Sequence, residues 1–192
     1  MNTAIFGGTF NPFHLGHLEM LKAVSDLEFI DRILLIPDHI PPHKETDYLA
    51  DDIHRLNMCN IICKDFPKAE VSSIEVDRKG KSYTIDTVKE LKNLYPNDNF
   101  YFVCGGDMIA ILDKWYDFKE LFKNVVFLSF TRNDKADFLR DVEKMKQLGA
   151  EIIVIDTPIP DISSTDFRNT LKRELLPKKI YDYIKEKGLY NA

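Results

Sequence analysis

Thr3-Ala-Ile-Phe-Gly-Gly-Thr-Phe-Asn-Pro-Phe-His-Leu-Gly-His17 is the stretch on which the reading of the chain turns. Thr3–Phe6 is a short apolar run closed by Gly7 and Gly8, the pattern of a buried strand. After His17 the apolar residues Leu18, Leu21 and Val24 fall at helical spacing. Strand, glycine-rich loop and helix therefore follow one another directly. The loop lacks the Gly-Lys-[Ser/Thr] close of a Walker A motif and is not the G-x-G-x-x-G dinucleotide fingerprint. It has the parts of an anion site nonetheless. Two glycines let backbone N–H groups approach a ligand closely. His14 and His17 stand at the mouth of a helix whose first turn offers unpaired N–H groups and a partial positive charge. One histidine or one glycine pair alone would read as a capped tight turn; the whole string reads as a phosphate loop.

Outward from this unit, the chain repeats strand and helix. Thr3–Phe6, Arg32–Ile36, Glu70–Val76, Asn99–Val103, Val125–Phe130 and Glu151–Ile155 read as strands, most of them nearly continuous in apolarity. Helices are expected at His17–Leu27, Leu49–Cys63, Thr84–Leu94 and Lys135–Leu148, the last stopped by Gly149. Ser164–Leu175 and Lys178–Lys187 read as two closing helices, separated by Pro177 and ended by Gly188. Such alternation implies right-handed βαβ units and an α/β fold built on a doubly wound parallel sheet. Residues 1–192 are expected to form a single domain, with 163–192 as its C-terminal helical portion. Ligands of such sheets bind at the carboxyl ends of the strands, so the residues just after each strand carry the functional information.

Composition narrows the function. The chain has 192 residues, 44% of them hydrophobic and 30% charged, which excludes wholesale disorder. Thirty-one acidic against 26 basic residues give a formal net charge of -5, without the basic excess of a protein that coats nucleic acid. Small anions remain suitable ligands, because a few Lys, Arg and His in a cleft create a local positive field. No apolar run reaches the ~18 residues of a membrane span, and Met1–Phe10 lacks the pattern of a signal peptide. Together with only three cysteines (Cys59, Cys63 and Cys104), this gives an expectation of the reducing cytoplasm. Cys59 and Cys63 fall one helical turn apart and read as two small helix-face residues.

Gly8-Thr-Phe-Asn-Pro-Phe-His-Leu-Gly-His17 after an N-terminal strand resembles the signature of the nucleotidylyltransferase superfamily, and the chain most resembles its bacterial nicotinate-nucleotide adenylyltransferases. Five further stretches carry the likeness in order: Pro42-His-Lys44; His54-Arg-Leu-Asn-Met58; Ser82-Tyr-Thr-Ile-Asp-Thr87; Gly105-Gly-Asp107 with Trp115 beyond; and Ile162-Ser-Ser-Thr-Asp-Phe-Arg168. Alone, Arg55 reads as a surface arginine, and Ser82 as a hydroxyl capping the next helix. One departure lies after the fifth strand, where relatives often read Arg-Pro-Gly and this chain reads Arg132-Asn-Asp134. The role of that loop is left unassigned.

The resemblance implies a Rossmann-like nucleotidylyltransferase fold and transfer of AMP from ATP to nicotinate mononucleotide, giving deamido-NAD and pyrophosphate. It implies that His14, His17 and Lys44 are catalytic. Gly8, Thr9, Phe10, His14, His17, Gly105, Asp107, Ser164, Thr165 and Arg168 would bind ATP, with His17 nearest the transferring group and Gly105 and Asp107 at the ribose. Lys44, Thr84, Trp115 and Tyr116 would hold the mononucleotide. Mg²⁺ is expected to travel with ATP, with no separate metal site. Neither nucleic acid nor membrane is an expected partner; self-association stays open. The same loop also suits nicotinamide mononucleotide, phosphopantetheine or a cytidylyl acceptor, although Ser82–Thr84 and Trp115 speak against the last two. A metal-binding module using His14, His17, His39 and His43 is a reading of another class, and it leaves the glycines and Ile162–Thr165 without a purpose.

Overall fold

The computed structural model describes residues 1–40, 49–131 and 135–192. The chain runs through β1 (Asn2–Gly8), α1 (Leu15–Ser25), β2 (Arg32–Pro37), α2 (Asp52–Cys63), β3 (Ala69–Val71), α3 (Ile74–Arg78), α4 (Thr84–Leu94) and β4 (Asn99–Gly105). It continues through α5 (Gly106–Ile109), α6 (Phe118–Phe122), β5 (Val126–Phe130), α7 (Lys135–Gln147), β6 (Glu151–Ile155), α8 (Ser164–Thr170) and α9 (Lys178–Lys187). All strand pairs are parallel, in the order β3-β2-β1-β4-β5-β6. This is the expected doubly wound sheet, and its direction of winding reverses between β1 and β4.

Parallel strands are buried on both faces, and two apolar layers cover them. One gathers Ile5, Leu34, Val88, Leu91, Phe102, Phe127 and Val142 beneath α4 and α7. The other gathers Phe6, Leu21, Val24, Leu35, Met58, Phe167, Ile180 and Ile184 beneath α1, α2, α8 and α9. The two closing helices thus pack into the same core as the first.

The register shows how the cleft opens. β1 pairs with β2 through to Gly8↔Pro37, and β4 pairs with β5 through to Gly105↔Phe130. Between β1 and β4 the ladder stops at Ile5↔Phe102, although both strands run on for three more residues. The sheet therefore splits at its switch point, and Gly7 and Gly8 face Val103–Gly105 across the gap.

Several expected boundaries move. Glu70–Val76 is a strand only at its start: Ser72 N–H makes a last sheet-edge bond to Leu35 O at 2.9 Å, and Ile74–Arg78 then coils into α3. One helical turn buries Ile74 and Glu75, which lie in the latter part of the expected strand. The second helix starts at Asp52 rather than Leu49, which leaves Leu49 at the cleft. Ser164–Leu175 breaks at Leu171, whose left-handed φ of 53° ends α8 before a separate short turn at Arg173–Leu175. Gly149 and Gly188 do stand at helix ends with positive φ. The short helices α5 and α6 lie below the length at which helical periodicity can be read. Lys44, His43 and the Arg132–Asp134 loop lie outside the described residues. Among the described residues no helix is long and apolar enough to cross a membrane.

Candidate active site

A cleft of about 340 Å³ occupies the split in the sheet. Gly8, Thr9, Phe10, His14, His17, Gly105, Asp107, Trp115, Ser164, Thr165 and Arg168 all line it. The structure thus gathers residues that are more than 150 positions apart in the chain.

The turn after β1 is held from behind. Arg55 Nη1 donates to Thr9 O at 3.0 Å, Arg168 Nη1 to Asn11 O at 2.7 Å, and Ser164 Oγ to Pro12 O at 2.9 Å. Three carbonyls of one turn are therefore taken by side chains of α2 and α8. Engaging the acceptors of a glycine-rich turn in this way leaves its N–H groups as the complementary, anion-seeking set. Thr9 Oγ1 donates to Asp38 Oδ2 at 2.8 Å, so the hydroxyl is anchored to the end of β2 and the residue's backbone serves the turn. Phe10 has φ 47° and its ring is buried against Phe6, Phe13 and His17; it too contributes backbone to the cleft. A Cβ on Gly8 would lie 3.1 Å from that ring, which accounts for glycine there.

His14 and His17 form a reciprocal cap. His17 N–H donates to His14 Nδ1 at 3.3 Å and His14 N–H to His17 Nδ1 at 3.2 Å, with the rings stacked 3.6 Å apart. This is a capping box in which histidine replaces the usual hydroxyl and carboxamide. Because each Nδ1 accepts, each neutral ring carries its hydrogen on Nε2, a donor suited to phosphate oxygen.

Arg55 is fully buried, not the surface residue its sequence position suggests. It donates five hydrogen bonds: to Ala50 O, Thr9 O, Asp38 Oδ1, His39 O and Asp52 Oδ1. One guanidinium thereby joins the phosphate turn, the end of β2 and the start of α2. Asp38 and Asp52 supply the neutralising charge that a buried arginine requires. The one sign of this hub along the chain is Asp38, an acid placed directly after a strand.

Across the gap, Gly105 and Asp107 act as a pair: a Cβ on Gly105 would lie 2.6 Å from Asp107 Oδ1, so glycine makes room for the carboxylate over the strand end. Gly106 is equally constrained, its Cβ position being 2.6 Å from Phe130 O. Cys104, also on the cleft, is buried; burial pushes its thiol up to about 12, Ser129 opposes the shift through a hydrogen bond, and the Asp107 charge adds to it. The thiol stays protonated and is no nucleophile.

At the start of α8, Ser163 caps the helix with Asp166, and Arg168 Nη2 donates to Thr165 Oγ1 at 3.0 Å. Trp115 meets Phe102 edge-to-face at 5.7 Å on the cleft wall. Thr84 and Tyr116 lie outside the cleft lining. They adjoin one another through Tyr83, whose ring lies 4.7 Å from that of Tyr116. Ser82 does not cap α4; its Oγ accepts from His39 N–H at 3.1 Å, which ties the end of β2 to the helix start. His39 Nδ1 lies 2.6 Å from Asp52 Oδ2. Among the described residues no three His, Cys, Asp or Glu side chains gather where a metal ion could sit.

A crevice at the switch point of a parallel sheet, with a glycine-rich turn and two histidines on one wall, defines an α/β nucleotide-binding protein built around phosphate. A family model described as Cytidylyltransferase-like matches residues 5–170. A probable nicotinate-nucleotide adenylyltransferase of Listeria innocua is 37% identical over 97% of this chain and 95% of its own length. The nicotinate-nucleotide adenylyltransferase of Bacillus subtilis is 37% identical over 98% and 97%. The solved structure of Plasmodium falciparum nicotinic acid mononucleotide adenylyltransferase complexed with NaAD aligns with a TM-score of 0.81 at 26% identity, over 99% of this chain and 97% of that one. The chain belongs to the Cytidylyltransferase-like family and, within it, to the nicotinate-nucleotide adenylyltransferases.

Proposed function

We propose that the chain transfers the adenylyl group of ATP to nicotinate mononucleotide, forming deamido-NAD and pyrophosphate in NAD biosynthesis. The observation that carries this reading is the single cleft at the β1–β4 split, which joins the phosphate turn, both histidines and Arg168 on one side to Gly105, Asp107 and Trp115 on the other.

The acceptor's phosphate monoester has a second pKa of about 6, so it is largely dianionic at neutral pH and needs no strong base. One of its oxygens bonds to the α-phosphorus of ATP as the bond from that phosphorus to the β-bridging oxygen breaks, and pyrophosphate leaves. The protein's task is alignment and neutralisation of charge. His17 and His14 would donate from Nε2 to the transferring and neighbouring phosphates. Arg168, with Ser164 and Thr165, would hold the β- and γ-phosphates, and Lys44 would add charge from the opposite side. Asp107, beside Gly105, would accept from the ribose hydroxyls. Trp115 would stack on the pyridine ring, with Thr84 and Tyr116 completing the mononucleotide side. Mg²⁺ would neutralise the triphosphate, held by phosphate oxygens and water; this suits a described lining whose one carboxylate is Asp107. We infer also that residues 1–192 work as one domain, since the 163–192 portion supplies both a wall of the site and part of the core.

Incubation of the purified protein with ATP, Mg²⁺ and nicotinate mononucleotide, followed by chromatography, should show deamido-NAD and pyrophosphate in equal amounts. ATP consumption without a dinucleotide product would overturn the reading.

A further inference from the structure

We propose that Tyr190 is a positioning residue for ATP, acting through Asn11 on the phosphate turn and Arg168. The inference rests on the adenylyltransferase reading for its reaction but not for its binding test.

Tyr190 Oη–H donates to Asn11 Oδ1 at 2.7 Å, across 179 positions of sequence. The same Oδ1 accepts from Ala50 N–H at 3.0 Å, so both of its lone pairs are engaged. The main-chain oxygen of Asn11 accepts from Arg168 Nη1 at 2.7 Å. Asn11 is thus the joint of three elements: the start of α2, the arginine of α8 and the turn that follows α9. Holding its side chain restrains the residue whose main-chain oxygen holds Arg168 Nη1 on the cleft wall.

Three features show that the phenol is held there rather than resting there. Tyr190 has a left-handed φ of 60°, a conformation that a bulky residue keeps only when its surroundings impose it. Its ring meets Phe167 edge-to-face at 6.0 Å, beside Arg168 in the same helix. Burial pushes the phenol well above its ordinary range, against the opposing charges of Arg168 and Arg55, so the hydroxyl remains a hydrogen-bond donor. The ring packs against the core of Phe167, Ile180 and Ile184, and the hydroxyl is the part of the residue that reaches the turn.

Tyr190→Phe keeps the ring and removes only the hydroxyl. One neutral hydrogen bond in a shared network corresponds to roughly a 3- to 10-fold effect. ATP affinity, followed by titration calorimetry, should weaken by about that factor, and KM for ATP should rise alike. KM for nicotinate mononucleotide should change less than about twofold. In an Asn11→Ala background the Tyr190→Phe change should have little further effect. Equal ATP affinity in wild type and Tyr190→Phe would overturn the proposal, as would a loss that merely tracks the folded fraction or falls equally on both substrates. If the wild type bound ATP but made no deamido-NAD, the functional reading would fail while the ATP-binding comparison still decided the role of Tyr190.

Discussion

Arg55 Nη1 reaches the carbonyl of Thr9 at 3.0 Å from a position with no solvent exposure. A guanidinium buried under a glycine-rich turn does two things. It holds the turn's carbonyl away from the anion side, and it places a positive charge behind the turn's N–H groups. Both favour a polyphosphate in front.

Arg55→Met should therefore damage stability and turnover together. Asp38 and Asp52 would lose their cation, and breaking such a pair costs about 3 kcal/mol when the partners are partly exposed. For a chain of this size that lowers Tm by roughly 6–12 °C. Arg55→Lys keeps the charge but cannot reach five acceptors, and should fall between. Thermal unfolding beside ATP titration checks this; an unchanged Tm for Arg55→Met would contradict the buried hub.

His17 has a structural role as a cap and a proposed chemical role at phosphate, which two substitutions separate. His17→Ala removes the acceptor for His14 N–H and should cost about 1 kcal/mol of stability, as helix caps do. It should also lower kcat by roughly 10²–10³-fold through loss of a phosphate donor. His17→Gln restores the usual third residue of a capping box and so should recover stability without recovering turnover. Urea midpoints and kcat on the same preparations decide; recovery of both by glutamine would remove the catalytic role.

Glu75 predicts a pH effect. Burial raises its carboxyl above the ordinary 4.5, against hydrogen bonds from Thr87 and Ser82; Asp38 raises it further and Arg78 lowers it. Thr87 Oγ1–H donates to it at 2.6 Å. Between 4.5 and the raised folded value, the folded chain holds a proton that the unfolded chain has released, so stability falls as pH rises through that window. Glu75→Gln keeps an acceptor for Thr87 and cannot ionise. Its stability relative to wild type should increase from about pH 4.5 upward. Urea unfolding across that range checks the sign, and a gap that is flat or reversed would contradict it.

Arg168→Ala should raise KM for ATP and lower kcat, because it removes the clamp on Asn11 O together with the proposed phosphate ligand. KM for nicotinate mononucleotide should move less. Lysine should rescue poorly, since one ammonium cannot serve Asn11 O and Thr165 Oγ1 with the geometry of a planar fork. An effect confined to the mononucleotide would mean that the two substrates lie the other way round.

The doubly wound sheet was legible because buried parallel strands are nearly continuous in apolarity and helices as long as α4 and α7 show their period. The phosphate turn was legible because glycine and histidine follow a strand end directly. Arg55 was misread because its five partners come from three separate places, the turn after β1, the end of β2 and the start of α2, and burial of an arginine is decided by tertiary neighbours. A capping histidine was one reading of the turn; that His14 and His17 cap each other was not legible, since it depends on each ring reaching the other's main-chain N–H. Tyr190 left no local signal at all, being tied to Asn11 only after α9 has folded back. The end of the expected strand Glu70–Val76 coils into α3, which was not legible because a single helical turn is too short to show a period.

The most direct measurement compares the two pyridine mononucleotides as acceptors of the adenylyl group from ATP. A carboxylate is selected by donors alone; in the proposed pocket the start of α4 at Thr84 would offer donors and the positive end of a helix, with no Lys or Arg in Ser82–Thr87, and Trp115 would offer a stacking face. Two charge-assisted bonds correspond to roughly 10²–10⁴-fold discrimination. The account predicts that kcat/KM for nicotinate mononucleotide exceeds that for nicotinamide mononucleotide by at least about a hundredfold. Comparable values for the two acceptors, or a preference for the amide, would contradict it.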